Sequence, residues 1–282
     1  MPRRYSSILY IESFFQEACR FERVGSVDDV DPPHECSIQR PRVSVCMATF
    51  NGERYLRRQL EGVLTQLLDR DELIIADDGS TDLTLGIIES YRDPRVTLLP
   101  STTRLGPAAA FERAIAYATG KYIFLCDQDD VWFPDKVAVS IEILQEQNVL
   151  AVVSDARIID ADGNTLMESF QNWRGSREGF WSNWIKNGFL GCCMAFRGSA
   201  KNFLLPFPPN INMHDEWIGL CCSVAGTVRF TPHPLIGYRR HNRNVTGMTH
   251  RSPSFMVLKR FRFLVAILGR LPQLLRKRSE VL

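Results

Sequence analysis

The chain has 282 residues, 45% of them hydrophobic and 23% charged, a composition typical of a globular protein with a substantial core. Its net charge of +2 does not indicate a polyanionic partner, so we expect no nucleic-acid binding. The eight cysteines include no Cys-x-x-Cys pair and residues 1–10 contain no apolar signal-peptide core, which predicts a reduced, cytoplasmic protein without a zinc site.

Residues 1–40 predict an N-terminal extension outside the core. Their acidic, proline-containing stretch Asp28–Pro33 is typical of a linker. Regular patterning begins at Val43. We therefore expect one domain over residues 41–250 and a tail over residues 251–282.

Strand and helix patterns alternate from Val43 onward. Apolar residues at helical spacing separate the apolar runs, which predict five strands: Val43–Ala48, Leu73–Ala76, Arg95–Leu99, Tyr122–Cys126 and Val149–Ser154. This alternation favours an α/β fold, with a mostly parallel central sheet, right-handed crossovers and flanking helices.

Acidic residues close two of these strands. Asp77 and Asp78 follow the second strand, and Asp127–Asp130 follows the fourth with three carboxylates in four residues. Because the carboxyl ends of parallel strands meet at one edge of the sheet, we expect both groups beside one cleft. Carboxylates packed this closely either spread into water on a turn or converge on a divalent cation. For Asp77 and Asp78, a turn with a helix cap stays open as an alternative.

Further candidates lie later in the chain. A strand is predicted over Leu190–Phe196, and helical spacing from Met213 to Val224 places Asp215 in the first turn of a helix, where the helix dipole stabilises a carboxylate. A short strand over Leu235–Tyr238 leads into a polar loop that contains His241. For Asp215 the alternative is a plain helix cap, and for His241 it is a loop histidine bonded to the backbone.

The tail mixes apolar residues with eight basic residues and a single acid, Glu280. Its longest charge-free stretch, Phe263–Gly269, is too short to cross a bilayer. Two interpretations stay open. One is a basic amphipathic helix lying on an anionic membrane surface, and the other is a terminal helix packed on the domain with its basic residues in water.

Five motifs, in this order, resemble a known family. The first three are Val43-Ser44-Val45-x-Met47-Ala48-Thr49-Phe50-Asn51-Gly52, Ile74-Ile75-x-Asp77-Asp78-Gly79-Ser80-Thr81-Asp82 and Asp127-Gln128-Asp129-Asp130-Val131-Trp132. The last two are Met213-His214-Asp215-Glu216-Trp217 and Tyr238-Arg239-Arg240-His241-x-x-Asn244-Val245-x-Gly247. Together they resemble the family 2 glycosyltransferases with the GT-A fold, and the last two are similar to bacterial rhamnosyltransferases of surface polysaccharide assembly.

The resemblance implies roles for residues at the matching positions. The nucleotide of a sugar donor would be bound by Thr49, Asp78, Arg104 and Asp127. Mg²⁺ or Mn²⁺ would be held by Asp127, Asp129 and His241, and Asp215 would be the catalytic base. The implied reaction is an inverting, metal-dependent transfer of a sugar, with rhamnose as a candidate, from a nucleotide-diphosphate donor to a saccharide or lipid-linked saccharide acceptor. Ala48 and Phe50 replace the Thr and Tyr of some relatives, so both UDP and dTDP stay open as the donor nucleotide.

Three other classes fit the pattern less well. A sugar-nucleotide nucleotidyltransferase, the main alternative, usually carries a Gly-rich phosphate loop with a basic residue after its first strand, where this chain has Thr49-Phe50-Asn51-Gly52-Glu53. A dinucleotide dehydrogenase needs Gly-x-Gly-x-x-Gly at that place. A carbohydrate-binding module would not need three acids, a base and a histidine in this order.

Overall fold

The computed structural model describes residues 42–209, 211, 213–241 and 253–281. The predicted N-terminal extension and residues 242–247 of the last motif lie outside these ranges. The strands are β1 (Val43–Thr49), β2 (Glu72–Asp77), β3 (Val96–Leu99), β4 (Tyr122–Asp127), β5 (Val131–Trp132), β6 (Val149–Ile159), β7 (Thr165–Met167), β8 (Met194–Arg197) and β9 (Thr227–Arg239). The helices are α1 (Leu56–Leu64), α2 (Thr84–Ser90), α3 (Pro107–Tyr117), α4 (Lys136–Gln145), α5 (Phe170–Arg174), α6 (Phe180–Ile185), α7 (Lys201–Leu204), α8 (His214–Ala225) and α9 (Pro253–Val281).

One mixed sheet organises the described residues. Its strand order is β3-β2-β1-β4-β8-β6-β9-β5, with β7 paired to β6. β1 is parallel to β2 and β4, β2 to β3, and β6 to β9. β8 lies antiparallel between β4 and β6, and β5 and β7 are antiparallel to their partners. The predicted α/β fold with a central sheet is therefore confirmed. The sheet is parallel over β1 to β4, as predicted, while four of its eight pairings among the described residues are antiparallel.

Burial explains why the predicted strands form. Every residue of β2 is buried, and β1 and β4 are buried along nearly their whole length. Strands covered on both faces appear in a sequence as continuous apolar runs. Burying one such side chain, for example Ile74, contributes about 1.5–3 kcal/mol. The polar residues at the ends of these strands therefore stand out against an apolar core.

Two predicted strands differ from the observed ones. Residues 191–193 form a 3₁₀ turn, and β8 begins only at Met194. The buried Lys136 ammonium donates to the Cys192 carbonyl at 3.0 Å, so a side chain replaces the strand partner there. The predicted strand Leu235–Tyr238 is only the end of β9, whose earlier part contains Pro232 and Pro234 and is offset against β6 by bulges. Prolines make a strand hard to predict from sequence because they interrupt its apolar alternation and its backbone hydrogen bonds.

The register of the sheet brings both acidic groups to one edge. β1 lies between β2 and β4, with Thr49 opposite Asp77 and Ala48 opposite Asp127. Helix α8 supplies Asp215 and is anchored two residues later by the fully buried Trp217, whose indole Nε1 donates to the Leu204 carbonyl at 3.0 Å. The end of the parallel strands is thus where residues distant in sequence meet.

Helix α9 packs on the domain with one face. Phe263, Ile267 and Leu274 are buried, and Arg270 donates to the carbonyl of Pro206 at 2.7 Å. Within the part of the chain that the structure describes, no helix combines the length and the hydropathy needed to cross a bilayer. The packed-helix interpretation of the tail accounts for this face of α9.

Candidate active site

Asp77 holds the turn after β2 together. Its carboxylate accepts hydrogen bonds from the amides of Gly79, at 3.0 Å, and Ser80, at 2.8 Å, and from the hydroxyls of Ser80 and Thr49. A carboxylate bonded in this way supports a turn and a helix start. For Asp77, the alternative of a turn with a helix cap therefore agrees with the observed hydrogen bonds. The hydroxyl of Thr49, a residue predicted to bind the nucleotide, is therefore already bonded to Asp77 at 3.0 Å.

Asp78 fixes a neighbouring loop. Its buried carboxylate accepts from the amides of Leu105, at 2.7 Å, and Gly106, at 2.8 Å. The same loop carries Arg104, whose guanidinium carbon lies 3.9 Å from the centre of the Phe50 ring. This cation–π contact joins the loop to the turn after β1. The structure thus brings Asp78 and Arg104 together at one corner of the site.

Gln128 joins the turns after β1 and β4. Its side-chain amide forms a two-way pair with the Phe50 backbone, accepting from the N–H and donating to the carbonyl, each at 2.9 Å. Gly52 makes room for it, because an added Cβ would lie 2.2 Å from Gln128 Oε1. Sequence analysis assigned no role to Gln128. Its one signal is its place between Asp127 and Asp129.

Asp129 and His241 meet although they are 112 positions apart. His241 Nε2 lies 2.8 Å from Asp129 Oδ2. The imidazole also stacks on Tyr55, with ring centroids 5.2 Å apart and planes 23° apart. Two of the three predicted metal ligands are therefore side by side.

Arg239 fixes the backbone of the acidic turn. Its buried guanidinium donates to the carbonyls of Asp129, at 2.8 Å, Asp160, at 3.0 Å, and Ala161, at 2.9 Å. Its backbone amide donates to Asp130 Oδ1 at 2.8 Å. These bonds tie the turn after β4 to the β6–β7 connection. Arg239 belongs to the fifth motif, but nothing local in the sequence indicates its partners.

Burial and mutual repulsion raise the pKa of two carboxyls of the acidic turn, Asp127 and Asp130. Burial, with the charges of Asp129 and Asp215, raises the pKa of the Asp127 carboxyl to about 7. Burial and the charges of Asp129 and Asp127 hold the pKa of Asp130 well above its usual range. Charges shift one another in this way only at short range. The geometry agrees, because Asp215 Cβ lies 3.5 Å from where a Cβ would stand on Gly191, and the next residue, Cys192, has its Sγ within 4.8 Å of an Asp127 oxygen. Asp127, Asp129 and Asp215 therefore belong to one site.

A second grouping includes a thiol. Among the described residues, ligand atoms of Asp127, Asp130 and Cys192 lie within 4.8 Å of one another. Burial raises the pKa of the Cys192 thiol, which is therefore protonated near neutral pH, and burial also raises the pKa of Asp130. Mg²⁺ and Mn²⁺ prefer ionised oxygen ligands. The thiol is therefore the member of this group that suits such a cation least, and the carboxylates of Asp127 and Asp130 are the members that offer oxygen.

Asp215 is a buried acid in the first turn of α8. Burial raises the pKa of its carboxyl to about 7, partly offset by the Glu216 amide, which donates to Asp215 Oδ1 at 2.8 Å. The preceding His214 stacks on Phe111 at 4.0 Å, and burial lowers the pKa of His214 to about 3. His214 is therefore neutral and does not compensate the Asp215 charge. A carboxyl that titrates near neutrality suits a proton acceptor.

Glu216, next to this acid, anchors α9. Its fully buried carboxylate pairs with Lys259 and Arg260 at the beginning of that helix. Arg260 also lies over the Trp184 ring, 5.8 Å from its centre. A buried carboxylate is tolerated only with partners of this kind. Sequence analysis missed this ion pair because its members lie on separate helices.

Comparison with known proteins gives the family. Residues 44–203, more than half of the chain, match the model described as Glycosyl transferase family 2. The UDP-Glc:alpha-D-GlcNAc-diphosphoundecaprenol beta-1,3-glucosyltransferase WfgD of Escherichia coli is 27% identical over 179 residues, which are 63% of this chain and 68% of WfgD. TuaG of Bacillus subtilis, a glycosyltransferase named for teichuronic acid biosynthesis, is 30% identical over 186 residues, which are 64% of this chain and 72% of TuaG.

A solved structure shares the fold. The mannosyltransferase PcManGT from Pyrobaculum calidifontis, in complex with GDP-Man and Mn²⁺, superposes with a TM-score of 0.57 at 20% identity, over 84% of this chain and 75% of that one. The predicted GT-A fold is confirmed. The chain spans about two thirds of the length of some curated relatives and about half of others. With its acids gathered at the end of a GT-A sheet, the chain belongs to glycosyl transferase family 2.

Proposed function

We propose that this protein transfers a sugar, with inversion, from a nucleotide-diphosphate donor to a hydroxyl of a saccharide or lipid-linked saccharide acceptor. The single observation that carries the proposal is the contact of Asp129 Oδ2 with His241 Nε2, 2.8 Å apart, on the acidic turn that holds Asp127 and lies beside Asp215. We assign the activity to residues 41–250, in the cytoplasm.

The donor nucleotide is assigned to the corner formed by Asp78, Phe50 and Arg104. The Arg104 guanidinium over Phe50 offers positive charge beside an aromatic face, which suits a base and a diphosphate together. Asp78 keeps that loop in place through the Leu105 and Gly106 amides. Thr49 contributes through its backbone.

The acidic turn fits a divalent cation. Burial and its acidic neighbours raise the pKa of Asp127, and a cation would offset the repulsion between these acids. Asp129 Oδ2 and His241 Nε2, 2.8 Å apart, are close enough to share one ion. We assign Mg²⁺ or Mn²⁺ to Asp127, Asp129 and His241. When bound, such an ion neutralises the charge that develops on the leaving diphosphate.

Asp215 is assigned as the general base. The acceptor hydroxyl must lose its proton as its oxygen attacks the anomeric carbon, and the buried carboxylate can accept that proton. A carboxyl with a pKa of about 7 is ionised at mildly alkaline pH and still basic enough to bind the proton. One base with attack opposite the leaving diphosphate gives inversion.

The acceptor class rests on the relatives. WfgD is named for a diphosphoundecaprenol-linked acceptor and TuaG for teichuronic acid synthesis, and both support a role in bacterial surface polysaccharide assembly. The donor sugar is to be identified with a panel of nucleotide sugars. The panel includes rhamnose because of the last two sequence motifs.

The test is product analysis with the full chain. UDP-, dTDP- and GDP-sugars, dTDP-rhamnose among them, are incubated with Mn²⁺ and a lipid-diphosphate-linked saccharide. Release of a nucleoside diphosphate together with an extended acceptor is the expected result. In a separate incubation with a nucleoside triphosphate and a sugar phosphate, release of pyrophosphate would instead favour the nucleotidyltransferase alternative. An extended acceptor of retained anomeric configuration would remove the inverting mechanism.

A further inference from the structure

Helix α9 has a second apolar face besides the one that packs on the domain. Five of its large apolar side chains are between 40% and 61% exposed: Phe261, Leu264, Val265, Leu268 and Leu275. Their spacing of three, four and seven residues places them on one side of the helix, which we call the outer stripe. At 3.6 residues per turn, this stripe lies about 120° around the helix axis from the buried Phe263, Ile267 and Leu274.

The outer stripe is long for a solvent-facing surface. From Phe261 to Leu275 it runs for about 21 Å along the helix. Contiguous apolar surface of this kind marks an interaction site in soluble proteins. Packing against the domain therefore does not explain the apolar content of α9, because only one of its two apolar faces takes part.

Basic side chains border the outer stripe. Arg262 lies on one side of it and Arg278 on the other, and Arg276 is exposed near its end. The sequence has no acidic residue from 253 to 279. Over residues 253–279 of this helix the charge is therefore of one sign. An apolar strip with positive borders complements a surface of anionic headgroups over hydrocarbon.

We propose that α9 lies flat on an anionic lipid bilayer, with the outer stripe at the acyl boundary and its arginines among the headgroups. The long arginine side chains can reach the headgroups while the helix axis lies deeper. The two sequence interpretations of the tail then hold together, since one face packs on the domain and the other faces lipid. Near the start of α9, Arg260 donates to the carbonyl of Ile185 in α6 at 3.4 Å, and the Ile185 side chain is itself exposed.

The arrangement also relates lipid to the active site. Lys259 and Arg260 hold α9 on Glu216, the residue after Asp215. The ion pairs of Glu216 therefore connect a helix bound to the bilayer with the residue next to Asp215, the acid assigned as base. This consequence, unlike the lipid contact itself, rests on the proposed function. It would keep the acceptor side of the site near the surface where a lipid-linked saccharide emerges.

Vesicle flotation of the full chain tests the lipid contact without donor or acceptor. The vesicles are phosphatidylcholine alone, or an equimolar mixture with phosphatidylglycerol. We expect binding to the anionic vesicles that weakens with salt. The combined change Leu264→Ser, Val265→Ser and Leu268→Ser should lower partitioning by about 100-fold. Arg262→Gln with Arg278→Gln should lower it by about 30-fold at low salt.

Leu83→Ser is the matched control, because Leu83 is 70% exposed in a distant part of the chain. It should bind as the unaltered protein does, and all variants should unfold at the same temperature by circular dichroism. Failure of the unaltered chain to bind, or binding unchanged by the three serines, would overturn the proposal. A dimer in light scattering that the same serines dissolve would assign the stripe to a second copy instead. Transfer to a soluble acceptor analogue should survive in every variant, so loss of the lipid contact and loss of the proposed activity are separate results.

Discussion

Asp215 is expected to lower the stability of the folded protein while it serves the reaction. Burial raises the pKa of its carboxyl from 3.8 to about 7. A shift of about three pH units corresponds to about 4 kcal/mol. Because the folded state holds the proton more tightly than the unfolded state, stability falls as pH rises through the window from about 4 to 7. The full cost is present above pH 7.

Asp215→Asn removes this charge with little change of shape. An amide in the same place needs a new hydrogen-bond partner, which costs about 1–3 kcal/mol. At pH 8 the variant should therefore be more stable than the unaltered protein by about 1–3 kcal/mol, or about 2–6 °C in Tm. At pH 5 the gain should vanish, since Asp215 is then protonated. Turnover should fall by about 10²–10⁴, the usual size for loss of a general base.

The assay combines thermal unfolding, without metal, at pH 5 and pH 8 with turnover and donor binding by calorimetry. Activity of the unaltered protein should decline as pH falls below about 7, and this limb should be absent from the residual activity of the variant. Glu89→Gln, an exposed acid on α2, is the control and should change neither property. Near-normal turnover of Asp215→Asn would refute the reasoning. So would a stability gain of this variant over the unaltered protein that is smaller at pH 8 than at pH 5.

Three other substitutions test the rest of the site. Asp129→Asn should abolish both activity and the Mn²⁺-induced rise in Tm, because the carboxylate beside His241 is assigned to the ion. Gly52→Ala should raise the donor KM and lower stability by about 1–3 kcal/mol, as measured by kinetics and urea unfolding, since the new Cβ would overlap Gln128. Glu216→Gln should cost about 3 kcal/mol and speed hydrogen exchange in α9, because Lys259 loses its buried carboxylate.

Each of these substitutions has a control and a contrary outcome. Gly86→Ala, where nothing lies within 4 Å of the new Cβ, should be neutral or slightly stabilising. Glu146→Gln loses a pair with Arg229 in which both side chains are about half exposed, and should cost under about 1 kcal/mol. A Mn²⁺ response that persists in Asp129→Asn, a silent Gly52→Ala or unaltered exchange in Glu216→Gln would each contradict its own assignment.

The sequence by itself determined the strands and the places where they end. Three apolar runs predicted strands from local pattern alone. The bounds of the observed strands differ by one or two residues from the predicted Val43–Ala48, Leu73–Ala76 and Tyr122–Cys126. Because the strands are parallel, Asp77 and Asp127 had to lie at the same edge of the sheet. The register agrees, since they pair with Thr49 and Ala48, which are adjacent in β1.

Only the tertiary structure decided which polar groups hold the loops of the site in place and what each of them binds. Asp77 and Asp78 are adjacent in sequence, yet one closes its own turn and the other holds the loop at Gly106. Arg239 reaches the acidic turn across 110 positions, and Glu216 finds Arg260 on another helix. Such contacts are set by strand register and helix packing over long separations, and no local pattern of residues encodes them.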